Sequence, residues 1–245
     1  MPLALSPADL LLLGGGAFLA SMLAAVAGFG GAAVLLPPLV VLFGVRDAIP
    51  ILTVAQLLGN LSRVAFNRRQ VDLKVVGWFA IGGVPAAVAG GLLFASAPLS
   101  FLTRLLGVFL IAVVLYRHLG SAAALRVPLR GFAGLGAVFS FLSALLGSVG
   151  PIMIPFFLAY GLVKGALIGT EALATVVMHV TKIAVYGSTA VLTARGLAVG
   201  LILGSVMIVG SYAGKKLLDR LPEAVFLLLI EAALVIAGLN FLLRG

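Results

Sequence analysis

The chain has 245 residues, 63% of them hydrophobic and only 9% charged, with a formal net charge of +9 and no cysteine, and its mean hydropathy is +1.30. A soluble domain carries about a quarter charged residues, so this composition belongs in a bilayer. The missing thiols exclude disulfides, thiolate nucleophiles and cysteine-based metal or iron–sulfur sites, and basic residues scattered in short loops without interleaved aromatics argue against nucleic acid and for the charge bias that orients membrane proteins.

In chain order, the apolar runs are Leu10 to Ala27, a short piece Ala32 to Val45, then Ala48 to Phe66, Val75 to Ala95 and Phe101 to Tyr116. The first resembles a secretory leader in length, but Asp9 stands where a basic region belongs, so it reads as structure. A basic linker with Arg117, His118, Arg126 and Arg130 follows. The second half repeats the plan: Leu129 to Leu146, a short piece Ile152 to Leu162, then Ala166 to Leu192, Leu197 to Ala213 and Ala224 to Leu243. A crossing needs about 20 apolar residues, so the two short pieces read as parts of broken or re-entrant helices. Their breaks fall at Gly28, Phe29, Gly30 and Gly31, and at Gly147, Ser148, Val149, Gly150 and Pro151, where glycine weakens the helix and proline withholds an N–H.

The halves align at a shift of 119 residues: Ser21 with Ser140, Gly28 with Gly147, Gly31 with Gly150, Ser62 with Thr181. Such an ordered series signals internal duplication. The expected architecture is all-α: one polytopic transmembrane domain over 1–245, with repeat 1 at about 8–118 and repeat 2 at about 129–244. Each broken pair returns the chain to its starting side and three full crossings follow, so the halves insert with opposite orientation, a plan typical of secondary transporters. With both termini outside, ten Lys and Arg residues fall in cytoplasmic loops and four outside, as the positive-inside rule requires.

Within this apolar frame a polar stripe occurs twice. Gln56, Asn60, Arg63 and Asn67 recur as Thr175, His179, Lys182 and Tyr186 with the same spacing, which places each set on one helix face. An intramembrane cation is costly and normally faces a partner or a water-filled path. Arg63 and Lys182 are therefore candidates to attract an anion whose oxygens Gln56, Asn60, Thr175 and His179 would bond. The plainer reading is snorkelling for Arg63, close to the basic loop, and interhelical hydrogen bonding for the rest. Helices that start inside the membrane at the glycine breaks point N–H groups and a positive dipole end inward, which suits an oxyanion; Gly28, Gly30, Gly31, Gly147 and Gly150 are thus candidate contacts. Glu171 and Glu231 are the carboxylates within apolar runs, each a candidate ion-pair partner or proton carrier. No cofactor, metal centre or activated nucleophile is expected, and no enzymatic activity.

The run Gly28-Phe29-Gly30-Gly31-Ala32-Ala33-Val34-Leu35-Leu36-Pro37, echoed by Gly147-Ser148-Val149-Gly150-Pro151-Ile152-Met153-Ile154-Pro155, resembles the motif that opens each half of the sulfite exporter TauE/SafE family of bacterial membrane proteins. The resemblance covers nearly the whole chain. It implies a multi-pass protein of the bacterial inner membrane that exports, or sometimes imports, sulfite, sulfonates or related anions. Alternating access with proton or cation coupling is the first expectation; a passive anion channel using the same stripe, or a non-transporting scaffold, are the alternatives.

Overall fold

The computed structural model describes residues 6–27, 31–119 and 127–217, and the described residues form eight α-helices and one short 3-10 turn joined by short connections, with no strand among them. The α-helices are α1 (Pro7–Ala27), α2 (Gly31–Asn67), α3 (Leu73–Ser96), α4 (Leu99–Leu119), α5 (Gly131–Leu146), α6 (Gly150–Tyr160), α7 (Lys164–Ser188) and α8 (Ala194–Leu217). Five stretches among them are long and apolar enough to cross a membrane. Gly28, Gly30, Glu231 and the expected last crossing, Ala224 to Leu243, lie outside the described residues.

The expected short piece Ala32 to Val45 and crossing Ala48 to Phe66 form one 37-residue helix, α2, with a non-helical joint at Gly44 (φ 75°, ψ 163°). A positive φ of this kind suits a residue without Cβ, and it divides α2 into arms 31–43 and 45–67. The joint is tied down by Arg46, whose guanidinium donates to the carbonyls of Ala95, at 3.0 Å, and Ala97, at the end of α3. The second break is sharper. Helix α5 stops at Leu146, Gly147 takes φ 86°, and α6 begins at Gly150. With 16 and 11 residues, α5 and α6 reach about 24 and 16 Å, each short of a hydrocarbon core of about 30 Å.

Close backbone approaches set the helix pairing. A Cβ at Gly82 of α3 would run into the Ala133 carbonyl of α5, and one at Gly136 of α5 into the Phe79 carbonyl of α3. Small residues of this kind let transmembrane helices pack closely where lipid supplies no hydrophobic drive between them. Along this seam Phe79 meets Gly136, Gly83 meets Ser140 and Gly90 meets Ala144, so α3 and α5 are parallel. Helices α1 and α8 are parallel too, with Ser21 against Gly210 and Met22 against Gly214. The second arm of α2 runs antiparallel to α7, since Gln70 meets Gly165, Asn67 meets Gly169 and Arg63 meets Glu171. Each broken pair folds back on itself: Gly16 packs on Leu35 and Ala24 beside Gly31, and the Tyr160 ring closes on Phe132 at 5.3 Å.

These directions sort the charges to two ends. At one end Lys215 donates to the Phe66 carbonyl at 3.2 Å, Arg130 lies over Trp78, and Asp72 caps α3 while its N–H donates to Thr170. Arg68, Arg69, Lys74 and Lys164 are in the adjoining segments. At the other end lie Arg46 and, across a shallow pocket, Asp47 and Arg195. Two apolar clusters fill the bundle, one built mainly on α1, α2, α4 and α8 and one on α3, α5, α6 and α7.

Candidate functional site

The two stripes meet. A cavity at the boundary of the apolar clusters is walled by Gln56, Asn60 and Arg63 from α2, by Glu171, Thr175 and His179 from α7, by Ala24 from α1, and by the helix starts Gly31–Ala32 and Gly150. The free space between its walls is small, about 20 Å³, room for about one water molecule, so a larger guest requires the walls to part. Its polar side chains are nearly inaccessible: Asn60 is 1% exposed, His179 and Glu171 2%, Arg63 4%.

Arg63 organises one side. Its Nη1 donates to Glu171 Oε2 and to the Ala24 carbonyl, both at 3.2 Å, and its Nη2 donates to Asn60 Oδ1. Arg63 is thus an ion-pair partner in a buried wall rather than a snorkelling side chain. Glu171 completes its own set by accepting from Thr175 Oγ1 at 3.0 Å. A guanidinium has only donors, so the Asn60 amide must turn its oxygen to Arg63 and leave its nitrogen for the cavity. Asn60 Nδ2, Gln56 Nε2 and His179 Nδ1 are buried without a hydrogen-bond partner among the described residues. Buried polar groups are nearly always paired, so three such atoms around one cavity mark a place for a polar guest.

The glycine breaks contribute in two ways. Gly31 opens α2 directly beside the Gln56 amide: a Cβ there would stand 3.3 Å from Nε2 and 3.0 Å from the Ala20 carbonyl. Gly150 opens α6 on the opposite wall. At the start of α6 the N–H groups are already engaged or absent: Gly150 N–H donates to Ser148 Oγ at 3.5 Å, Pro151 has none, and those of Ile152 and Met153 donate to the Val149 carbonyl at 3.1 Å, so this end offers the cavity its dipole and not free donors.

Lys182 does not itself line the cavity but stands directly behind its wall, one turn past His179 on α7 and bonded to Ser143, which does line it. It lies 11 residues beyond Glu171 on α7, about 16 Å along the axis, and is fully buried. Its Nζ donates to Ser143 Oγ at 2.9 Å, the Ser143 carbonyl at 3.2 Å and the Gly147 carbonyl at 3.3 Å. All three ammonium donors are thereby used, and among the described residues no carboxylate pairs with it. Lys182 clasps the C-terminal end of α5 as Arg63 clasps the Ala24 carbonyl near the end of α1, each reaching a carbonyl 39 residues back. Tyr186, the last stripe residue, donates to the Ala144 carbonyl at 2.5 Å, whereas its counterpart Asn67 donates to its own helix at Arg63. Gly147 serves this clasp and not the cavity wall.

Periodicity singled out neither Ser143 nor the Ala24 carbonyl, because a stripe gives the face of a helix and not what stands opposite. Ser148, Met153 and Met178, also in the wall, carry no signal beyond their places near the break and the stripe. Among the described residues no group of His, Asp and Glu side chains is arranged to hold a metal ion. No curated protein and no solved structure matches the chain. A profile of one family, described as sulfite exporter TauE/SafE, matches residues 13–241. Together with the apolar helical bundle, a match over nearly the whole length places the chain: it belongs to the sulfite exporter TauE/SafE family.

Proposed function

We propose that the protein is a secondary transporter of a small sulfur-containing oxyanion, bound in the cavity between α2 and α7. Family membership makes it a membrane transporter of the sulfite-exporter type; the cavity suggests how an anion would be held. Gln56 Nε2 and Asn60 Nδ2 supply neutral donors, Arg63 the charge, and the start of α6 at Gly150 its positive dipole end, a set suited to several oxygens around one centre. The observation that carries the reading is the pair of buried, unpartnered amide nitrogens on the rim of a cavity that also holds a guanidinium.

The opposite running directions of α1 and α5, and of α3 and α8, support two halves inserted with inverted orientation. The site then falls at their interface, where alternating access exposes it to each side in turn. In this reading Lys182 acts as a helix-end clasp behind the cavity wall, holding Ser143 and Gly147. A panel of sulfite, thiosulfate, sulfate and ethanesulfonate, followed by thermal unfolding of the purified protein, tests the reading: a binding anion at 100 times its Kd stabilises the protein by about 2.7 kcal/mol. Absence of a shift with every anion, together with absence of protein-dependent flux in proteoliposomes, would contradict it.

A further inference from the structure

An entering anion finds the guanidinium of the site already engaged. Both Nη1 donors of Arg63 are committed, one to the Ala24 carbonyl and one to Glu171 Oε2, and both ion-pair partners are buried, with side chains 5% and 3% exposed. Among the described residues Glu171 is the one carboxylate in the cavity wall. It occupies on Arg63 the position that an anion oxygen would take.

A buried carboxylate stripped of its cation is costly, by several kcal/mol, unless it takes up a proton. The other groups around it are Thr175 and His179 on its own helix, Asn60 and Gln56 on α2, the Ala24 carbonyl of α1, and Ser143 and Ser148 at the second break. None of these supplies a second fixed positive charge to replace Arg63, and the three donors of Lys182, behind the wall, are taken by Ser143 and Gly147.

We propose that Glu171 is the proton site of an anion–proton symport, the anion displacing its carboxylate from Arg63 while one proton binds at the released Oε2. The inference rests on the transport reading above. One ion pair replaces another: Arg63–Glu171, an anion and a proton give Arg63–anion and neutral Glu171, and no other bond is made or broken. The proton enters from the side that delivers the anion and leaves with it. For a monoanion the cycle is electroneutral. For a dianion one net negative charge moves, so that an inside-negative potential favours its exit.

The test uses full-length protein in proteoliposomes enclosing a pH-sensitive dye, with inward gradients of ethanesulfonate or thiosulfate, both fully ionised at neutral pH, so no proton rides on the probe. Expected is acidification of the lumen at one proton per anion, a ratio that falls to zero in Glu171→Gln and holds at one for whatever flux His179→Gln, itself in the cavity wall, retains. For a case in which Glu171→Gln does not fold, wild-type binding carries the test: affinity for either probe rises up to tenfold for each unit of falling pH while Glu171 is ionised. Anion flux without acidification, acidification retained in Glu171→Gln or missing from the flux that His179→Gln retains, or a pH-independent affinity would overturn the symport and leave the transport reading standing. Neither binding nor flux of either probe would remove both.

Discussion

Asn60 has a fixed duty on each side of its amide. Its oxygen accepts from Arg63 and its nitrogen is left to the cavity. Asn60→Leu keeps the volume and removes both. A hydrogen bond to a charged group contributes about 1.5–3 kcal/mol, so the variant should bind the anion on the order of 10 to 100 times more weakly in equilibrium binding. Lys182→Met is expected to separate from it: anion affinity stays within about threefold, since all three donors of Lys182 are engaged by Ser143 and Gly147, whereas the thermal midpoint falls because the carbonyls of Ser143 and Gly147 lose their donor. An affinity loss in Lys182→Met as large as in Asn60→Leu would return Lys182 to the site. The stripe itself was plain in the sequence at the residue scale, since spacing alone puts Gln56, Asn60 and Arg63 on one face. Across that face the sequence is silent, which is why two cations at equivalent places do not reveal that Arg63 meets Glu171 and Ala24 whereas Lys182 meets Ser143 and Gly147.

At the scale of elements, the short pieces were legible because length and glycine both speak to a helix that cannot cross. Their joints were less so. Arg46 and Asp47 suggest a loop between two segments, yet α2 continues past Gly44 as a second arm, because Arg46 finds acceptors at the end of α3 instead of water. Close packing discriminates among glycines that look alike in sequence. A Cβ at Gly82 meets the α5 backbone, whereas one at Gly77 on the same helix meets nothing within 4 Å. Gly82→Ala should therefore destabilise by about 1–3 kcal/mol through overpacking, and Gly77→Ala should be neutral or stabilising by up to about 1 kcal/mol; thermal unfolding in detergent compares them. Equal behaviour of the two variants would mean that α3 and α5 are not held by backbone approach.

The whole molecule presents one strongly basic end, near 68–74, 130 and 215–216, and an opposite end with Arg46 and Arg195. Charge bias in the loops already pointed to this separation, because it depends only on counting crossings. The partners that pack together were not readable, since pairing α3 with α5 and α1 with α8 joins segments far apart in the chain. A chain with no cysteine allows orientation to be measured directly. With the basic end cytoplasmic, a cysteine replacing Gln70 should react with an impermeant maleimide only in inside-out vesicles, and one replacing Ala190 only in right-side-out vesicles. The reverse pattern would invert the topology while leaving the cavity in place.

The central claim is that an anion occupies the space between α2 and α7, and counterflow tests it most directly. Proteoliposomes loaded with unlabelled thiosulfate or ethanesulfonate should draw in the labelled anion transiently and saturably, with KM raised about 10 to 100-fold in Asn60→Leu and little changed in Lys182→Met. Counterflow with the same KM in wild type and Asn60→Leu would place the anion elsewhere, and labelled anion that merely equilibrates, without the transient, would make the protein a channel.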